Sequence, residues 1–208
     1  MKSLLVINSS AAREGSVSRE LVEFAVDRLL QDAPQAGVQR RDLGTHPVPH
    51  LEVATLNGVR GTPTTVVEQA ARALSDELIA ELRAADTIVI GAPMYNFGVT
   101  TSLRAWFDHV LRAGETFSYS AEGPKGLMTN KRVIVIESRG GLYSEGPAAA
   151  IDFQEPYLRH LLGFIGITDV TFVHAEKIGY GPEARAAALV KARAQIEALA
   201  GAALAQAA

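Results

Sequence analysis

Three segments of this chain carry apolar side chains at consecutive rather than alternate positions: Leu4-Leu5-Val6-Ile7, Ile88-Val89-Ile90 after Thr87, and Val133-Ile134-Val135-Ile136. A strand wetted on one face alternates apolar and polar residues. Unbroken runs rich in β-branched residues therefore belong to strands covered on both faces, as in a parallel sheet. Two more segments extend the series. Val38 to Leu43 is more polar and suits an edge, and Thr168 to His174 alternates and closes the set.

Helical spacing fills the intervals. After Ser18 the residues Leu21, Val22, Ala25, Leu29 and Leu30 share one stripe, and Thr65 to Arg83 repeats the pattern with Leu74, Leu78, Ile79 and Leu82. Leu103, Trp106, Phe107, Val110 and Leu111 form another stripe. A last helix starts at Pro182, with Glu183 beside it, a proline and an acid where a helix N-terminus favours them. Parallel neighbours need crossover connections, so the alternation predicts an α/β fold: a doubly wound five-stranded parallel sheet of order 2-1-3-4-5. One domain is expected over residues 1–208, with a loop excursion near 44–63 where Pro47, Pro49, Gly58 and Gly61 interrupt the pattern.

Composition narrows the function. The 208 residues include no cysteine, which excludes disulfides, thiol catalysis and iron–sulfur ligation, so any redox role needs a borrowed cofactor. A net charge of −3 with both signs interspersed advertises no surface for nucleic acid or anionic lipid. The run Leu4–Ile7 is too short for a signal-peptide core and no other run approaches a membrane span, so a cytoplasmic protein is expected.

In a doubly wound sheet, ligands bind beyond the carboxyl ends of the strands near the switch point. Three loops fall there. The first, Asn8 to Ser18, holds Ser9, Ser10, Ser16 and Ser18 and leads into a helix. Free amides and hydroxyls at a helix N-terminus cradle a phosphate; helix capping by Ser16 or Ser18 explains the same residues equally well. The second, Gly91-Ala92-Pro93-Met94-Tyr95-Asn96-Phe97-Gly98, offers apolar walls for a flat ring and Asn96 at its polar edge, although Tyr95 and Phe97 would also serve as plugs over the core. The third, Glu137-Ser138-Arg139-Gly140-Gly141, places a glycine pair after a buried strand, where backbone can approach a ligand or simply turn.

Together these loops resemble the FMN-dependent azoreductase family of bacteria, relatives of the NAD(P)H–quinone oxidoreductases. The phosphate loop of that family matches Ser10 and Ser16-Val17-Ser18. Its Met-Tyr-Asn-Phe loop matches Met94-Tyr95-Asn96-Phe97, and its Ser-Arg-Gly-Gly loop matches Ser138-Arg139-Gly140-Gly141. The likeness continues through Leu103-Arg104-Ala105-Trp106-Phe107-Asp108, Thr116-Phe117-Ser118-Tyr119, Gly123-Pro124-Lys125-Gly126-Leu127, Leu162-Gly163-Phe164-Ile165-Gly166 and Tyr180-Gly181-Pro182-Glu183. One departure is Ala11-Ala12 before Arg13, where many members carry a proline.

The resemblance implies a flavodoxin-like fold, bound FMN held by these three loops, and NADH or NADPH as reductant. Quinones or azo compounds would be the aromatic acceptors, reduced in a ping-pong cycle. It implies a homodimer with Phe117 and Tyr119 on the substrate side and Phe164 contributed by a partner subunit; ordinary helix packing is an equal reading of Phe164. No side chain is an obligatory acid or base, because the flavin carries the chemistry, and no metal is called for. A flavodoxin-type electron carrier and a non-catalytic flavin-binding regulator are the rival classes. Carriers are usually smaller and strongly acidic, whereas this chain is nearly neutral. Gly179-Tyr180-Gly181-Pro182-Glu183-Ala184 fits a dinucleotide fingerprint only formally, since it follows the last strand. His46 and His50 are separated by prolines that prevent a helical metal-ligand pair, while His109, His160 and His174 read as structural.

Overall fold

The computed structural model describes the backbone of residues 1–207 and the side chains of residues 1–199, so Ala208, the last residue of the expected domain, lies outside the described residues. In chain order the elements are β1 (Ser3–Asn8), α1 (Val17–Asp32), β2 (Gly37–Asp42), α2 (Val53–Arg60), α3 (Val66–Ala84), β3 (Thr87–Pro93) and α4 (Thr101–Val110). They continue with β4 (Phe117–Ser120), β5 (Gly123–Gly126), β6 (Arg132–Ser138), a 3-10 turn (Pro147–Ile151), α5 (Glu155–Phe164), β7 (Asp169–Ala175) and α6 (Pro182–Ala207).

The main sheet has the order β2-β1-β3-β6-β7 and every pairing in it is parallel. This is the expected 2-1-3-4-5 arrangement, renumbered because a small antiparallel hairpin, β4–β5, intervenes in the chain. Alternate side chains of each central strand enter opposite layers, which is why the runs are apolar throughout. Leu5, Ile7, Ile88, Ile90, Val133 and Val135 pack with Leu78, Leu82, Trp106, Phe107 and Leu162 of α3, α4 and α5. Leu4, Val6, Val89, Ile134 and Ile136 pack on the other side with Leu21, Val22, Val26, Ala192 and Ile196 of α1 and α6. The more polar β2 is an edge strand, mostly exposed.

The excursion at 44–63 differs from expectation, since it contains α2 rather than loop alone. Eight residues are too few for helical periodicity to register, and an isolated helix of that length is unstable in water. Packing decides it. Gly58 lies so close to α3 that a Cβ there would stand 2.3 Å from the Glu68 carbonyl oxygen. Val59 is buried, and Arg72 Nε donates to the Gly58 carbonyl at 2.6 Å. The hairpin β4–β5 also went unanticipated, its strands being four residues each and rich in serine, glycine and proline.

Candidate functional site

The carboxyl ends of β1, β3 and β6 carry the three loops singled out above, and hydrogen bonds bring them together. Ser9 N–H and Ser9 Oγ both donate to the Gly91 carbonyl, at 3.1 and 2.7 Å. Met94 N–H donates to the Ser138 carbonyl at 2.9 Å, and Ala11 N–H reaches the Tyr95 hydroxyl at 3.3 Å.

In the first loop Ser16 is the N-cap of α1, its Oγ accepting from Arg19 N–H and donating to Ser10 Oγ at 2.9 Å. Ser18 Oγ lies 3.3 Å from Ser16 Oγ, so the three hydroxyls form one cluster. The first-turn amides of Val17 and Ser18 point out of the helix without intrahelical partners. Arg19, unremarked in the sequence, organises this loop. Its Nη2 donates to the Ser10 carbonyl at 2.7 Å, its Nε to the Ala12 carbonyl at 2.9 Å, and its guanidinium forks onto Asp42 at 2.7 and 2.8 Å. Two loop carbonyls are thereby drawn to the guanidinium, leaving hydroxyls and amides for an anion.

The Arg19 hydrogen bond, set against burial, holds the Asp42 carboxyl far below the ordinary carboxylate range. A depressed acid contributes stability above its unfolded pKa of about 4, and the contribution is lost as pH falls toward the folded value. Asp42→Asn is expected to lower stability at pH 7 by about 1 kcal/mol, a figure discounted because the pair is partly exposed. In urea titrations the gap between variant and native protein should narrow as the pH is lowered well below 4. A gap independent of pH would contradict the assignment.

The second loop is a tight turn. Tyr95 and Gly98 exchange backbone hydrogen bonds at 3.0 and 3.1 Å around Asn96 and Phe97, whose φ values are +49° and +70°. Positive φ at both central residues defines a type I′ turn, a conformation that suits asparagine and strains phenylalanine. Phe97 is 45 % exposed and meets Tyr143 edge-on at 6.2 Å between ring centroids. Among the described residues the Asn96 and Phe97 amides have no backbone partner. The strained ring is thus held outward over the sheet edge. Phe97→Gly should raise folding stability by roughly 0.5–1 kcal/mol through relief of that strain, less the entropy that glycine adds to the unfolded chain. Chemical denaturation measures it, and a loss of similar size would show that the ring packs favourably instead.

The third loop turns its amides outward by the same device. The carbonyls of Arg139, Gly140 and Gly141 accept from Ile178, Gly179 and Lys177 N–H at 3.2, 3.0 and 2.8 Å. The Gly140 and Gly141 amides have no backbone partner among the described residues, and the space a Cβ of Gly140 would enter is open to 4 Å. The Arg139 side chain turns away from this space into the protein, so any part it has in the loop's binding role falls to its backbone. It is 0 % exposed and binds Glu137 Oε2 at 2.5 Å, Asp152 Oδ2 at 3.0 Å, Glu176 Oε1 at 3.2 Å and Gln154 Oε1 at 3.1 Å. Gln154 Nε2 in turn donates to the Ala92 carbonyl at 2.8 Å, so the buried cluster braces the second loop as well.

The aromatic residues expected on the substrate side do not join these loops within one chain. Phe117, Tyr119 and Phe164 form their own group, Phe117 lying 5.5 Å from Tyr119 and 4.7 Å from Phe164 between ring centroids. Helix α5 starts beside the carboxyl end of β3 and ends at Phe164, just before β7 begins. Phe164 thus lies about 15 Å of helix from the end of α5 that braces the second loop, and Phe117 and Tyr119 line a cleft with Val59, Arg60, Gly61 and Arg72. Tyr119 is 73 % exposed there.

Rows of free amides on three loops, a hydroxyl cluster at a helix N-terminus and open space above Gly140 together fit a phosphorylated, flat heteroaromatic cofactor. Residues 2–200 match a family model of flavodoxin-like fold, and the chain belongs to that family. Within it, the chain belongs among the FMN-dependent NADH:quinone oxidoreductases. It is 70 % identical to the protein of that name from Hyphomonas neptunium, over 94 % of each chain. It is 50 % identical to the Ralstonia nicotianae protein of the same name, over 92 % of this chain and 93 % of that one. Among solved structures, an azoreductase from Bacillus anthracis superposes with a TM-score of 0.88 at 29 % identity, over 96 % of this chain and 99 % of that one.

Proposed function

We propose that this chain is an FMN-dependent oxidoreductase that takes electron pairs from NADH and delivers them to quinones and aromatic azo compounds. One observation supports the proposal: three loops at one sheet edge are hydrogen-bonded to one another and carry amides without backbone partners among the described residues, while several of their carbonyls are bound elsewhere. Bound FMN would supply hydride acceptance and donation. Ser10, Ser16 and Ser18, with the Val17 amide, would hold its phosphate. The Asn96, Phe97, Gly140 and Gly141 amides would meet the polar edge of the ring and favour negative charge there. Met94, Tyr95 and Phe97 would flank the ring system, and the backbone of Ser138 and Arg139 would set the height of the third loop.

The protein acts as a homodimer in this reading. Phe117, Tyr119 and Phe164 group with one another rather than with the loops of their own chain. Tyr119, the exposed member of the group, would insert beside the loops of a second copy and, with Phe164, wall an aromatic substrate there. The FMN-loaded protein should therefore sediment at twice the 22.1 kDa chain mass. Among the described residues no helix is long and apolar enough to cross a membrane.

NADH and the acceptor use one face of the site in turn, so the kinetics should be ping-pong. Double-reciprocal plots against NADH at several quinone concentrations are expected to run parallel. Intersecting lines would mean that both substrates bind together, and would sink the single-face scheme.

A further inference from the structure

The floor of the third loop is an ionic cluster with more acid than base. Four carboxylates, Glu137, Asp152, Glu155 and Glu176, face two guanidiniums, Arg139 and Arg159. His174 completes it from β7, standing opposite Glu137 in the strand register. Its Nε2 lies 2.8 Å from Glu155 Oε2 and 3.2 Å from Glu137 Oε2. The partners of Glu137 crowd onto Oε2, while Oε1 is buried without any partner. Beyond this shell, Glu145, Lys177 and Lys191 line a cleft of about 220 Å³ with His174 and Glu176.

The chemistry of the proposed function leaves one charge unassigned. The overall reaction, NADH + quinone + H⁺ → NAD⁺ + hydroquinone, consumes a single proton. Hydride leaving NADH brings two electrons and one proton to the site, and so one unit of negative charge, before the acceptor arrives. Resting on that reading, we propose that Glu137, His174 and Glu155 form a proton-holding group that takes the remaining proton from solvent as NADH is oxidised and gives it up when hydride transfer leaves the hydroquinone as a monoanion, which takes that proton to become neutral hydroquinone.

Geometry assigns the atoms. His174 Nε2 already carries one proton between two carboxylates, and the unpartnered Glu137 Oε1 accepts the second. Burial pushes the Glu137 carboxyl up, and its contact, with that of Glu155, pushes the His174 imidazolium up, so the pair favours protons as a unit. The Arg139 guanidinium, 2.5 Å from Glu137 Oε2, already supplies a buried positive charge to that oxygen, which favours a proton over a further cation. The loop amides and the cluster share a few residues of one strand end, so charge arriving above Gly140 is felt at Glu137 through low-dielectric protein.

Proton uptake can be counted directly. The FMN-loaded native protein is mixed anaerobically with one equivalent of NADH in weak buffer near neutral pH, with a pH-indicator dye and the flavin absorbance followed together. The expected result is bleaching accompanied by uptake of about one proton per flavin, and bleaching with little or no uptake in Glu137→Gln and in His174→Gln. Bleaching of the native protein without uptake overturns the proposal, whatever the variants do. Uptake undiminished in either variant that still binds FMN also overturns it, since the proton then sits elsewhere. A native protein that fails to bleach refutes the proposed function itself, an outcome distinct from both.

Discussion

Replacing Arg139 with methionine should remove much of the folding stability of the protein. The guanidinium is fully buried and is the contact shared by Glu137, Asp152 and Glu176. Methionine would fill a similar volume but leave three carboxylates facing one another with no buried cation between them. Breaking such a cluster costs about 3–5 kcal/mol, against a typical total of roughly 5–15 kcal/mol for a domain. Urea denaturation at pH 7 reads the loss. Adding Glu137→Gln to Arg139→Met should recover part of it, because one uncompensated charge disappears. A loss below about 1 kcal/mol would mean that water reaches the cluster and that it is no rigid floor for the cofactor loops.

The second large effect acts on the cofactor and not on the sheet. Gly44 follows β2, and a Cβ there would fall 1.9 Å from the Ser10 carbonyl oxygen and 2.7 Å from Arg19 Nη2. The nearest obstacle is backbone, so the loop itself must move. Gly44→Ala should therefore displace Ser10 from Ser16 and weaken FMN binding by roughly 100-fold or more, about 2.8 kcal/mol at 1.4 kcal/mol per decade. Flavin fluorescence titration of the apoprotein measures it, with far-ultraviolet circular dichroism as the check on folding. Gly37→Ala is the matched control, since nothing lies within 4 Å of its Cβ position. Equal FMN affinity in the two variants would show that the serine cluster does not set phosphate binding.

The sheet was readable in the sequence because its strands are covered on both faces. Leu4–Ile7 and Val133–Ile136 admit few other readings, and strand order followed from the need for crossovers. The three loops were readable for a related reason, since glycine, serine and aromatic residues cluster where buried strands end. What stayed hidden depends on contacts between distant segments. Helix α2 owes its existence to packing on α3, and the role of Arg19 appears only when Asp42, 23 residues away, arrives beside it. The buried cluster had one local signal, the charged Glu137 and Arg139 directly after the apolar run Val133–Ile136. Charges in that position need partners, but Asp152, Glu176 and His174 could be named only once β7 and α5 were in place. Nor could the sequence separate Phe117, Tyr119 and Phe164 from the cofactor loops, because only tertiary packing gathers β4 and the end of α5 into one aromatic group.

In the proposed function, three loops at one sheet edge hold a redox-active FMN that turns over with NADH. Anaerobic mixing of the FMN-loaded protein with NADH tests it most directly. The flavin absorbance should bleach within seconds, and a quinone added afterwards should restore it, a cycle within the usual range of enzyme turnover. A flavin that stays oxidised in excess NADH would contradict the account and leave a carrier or a binding protein in its place.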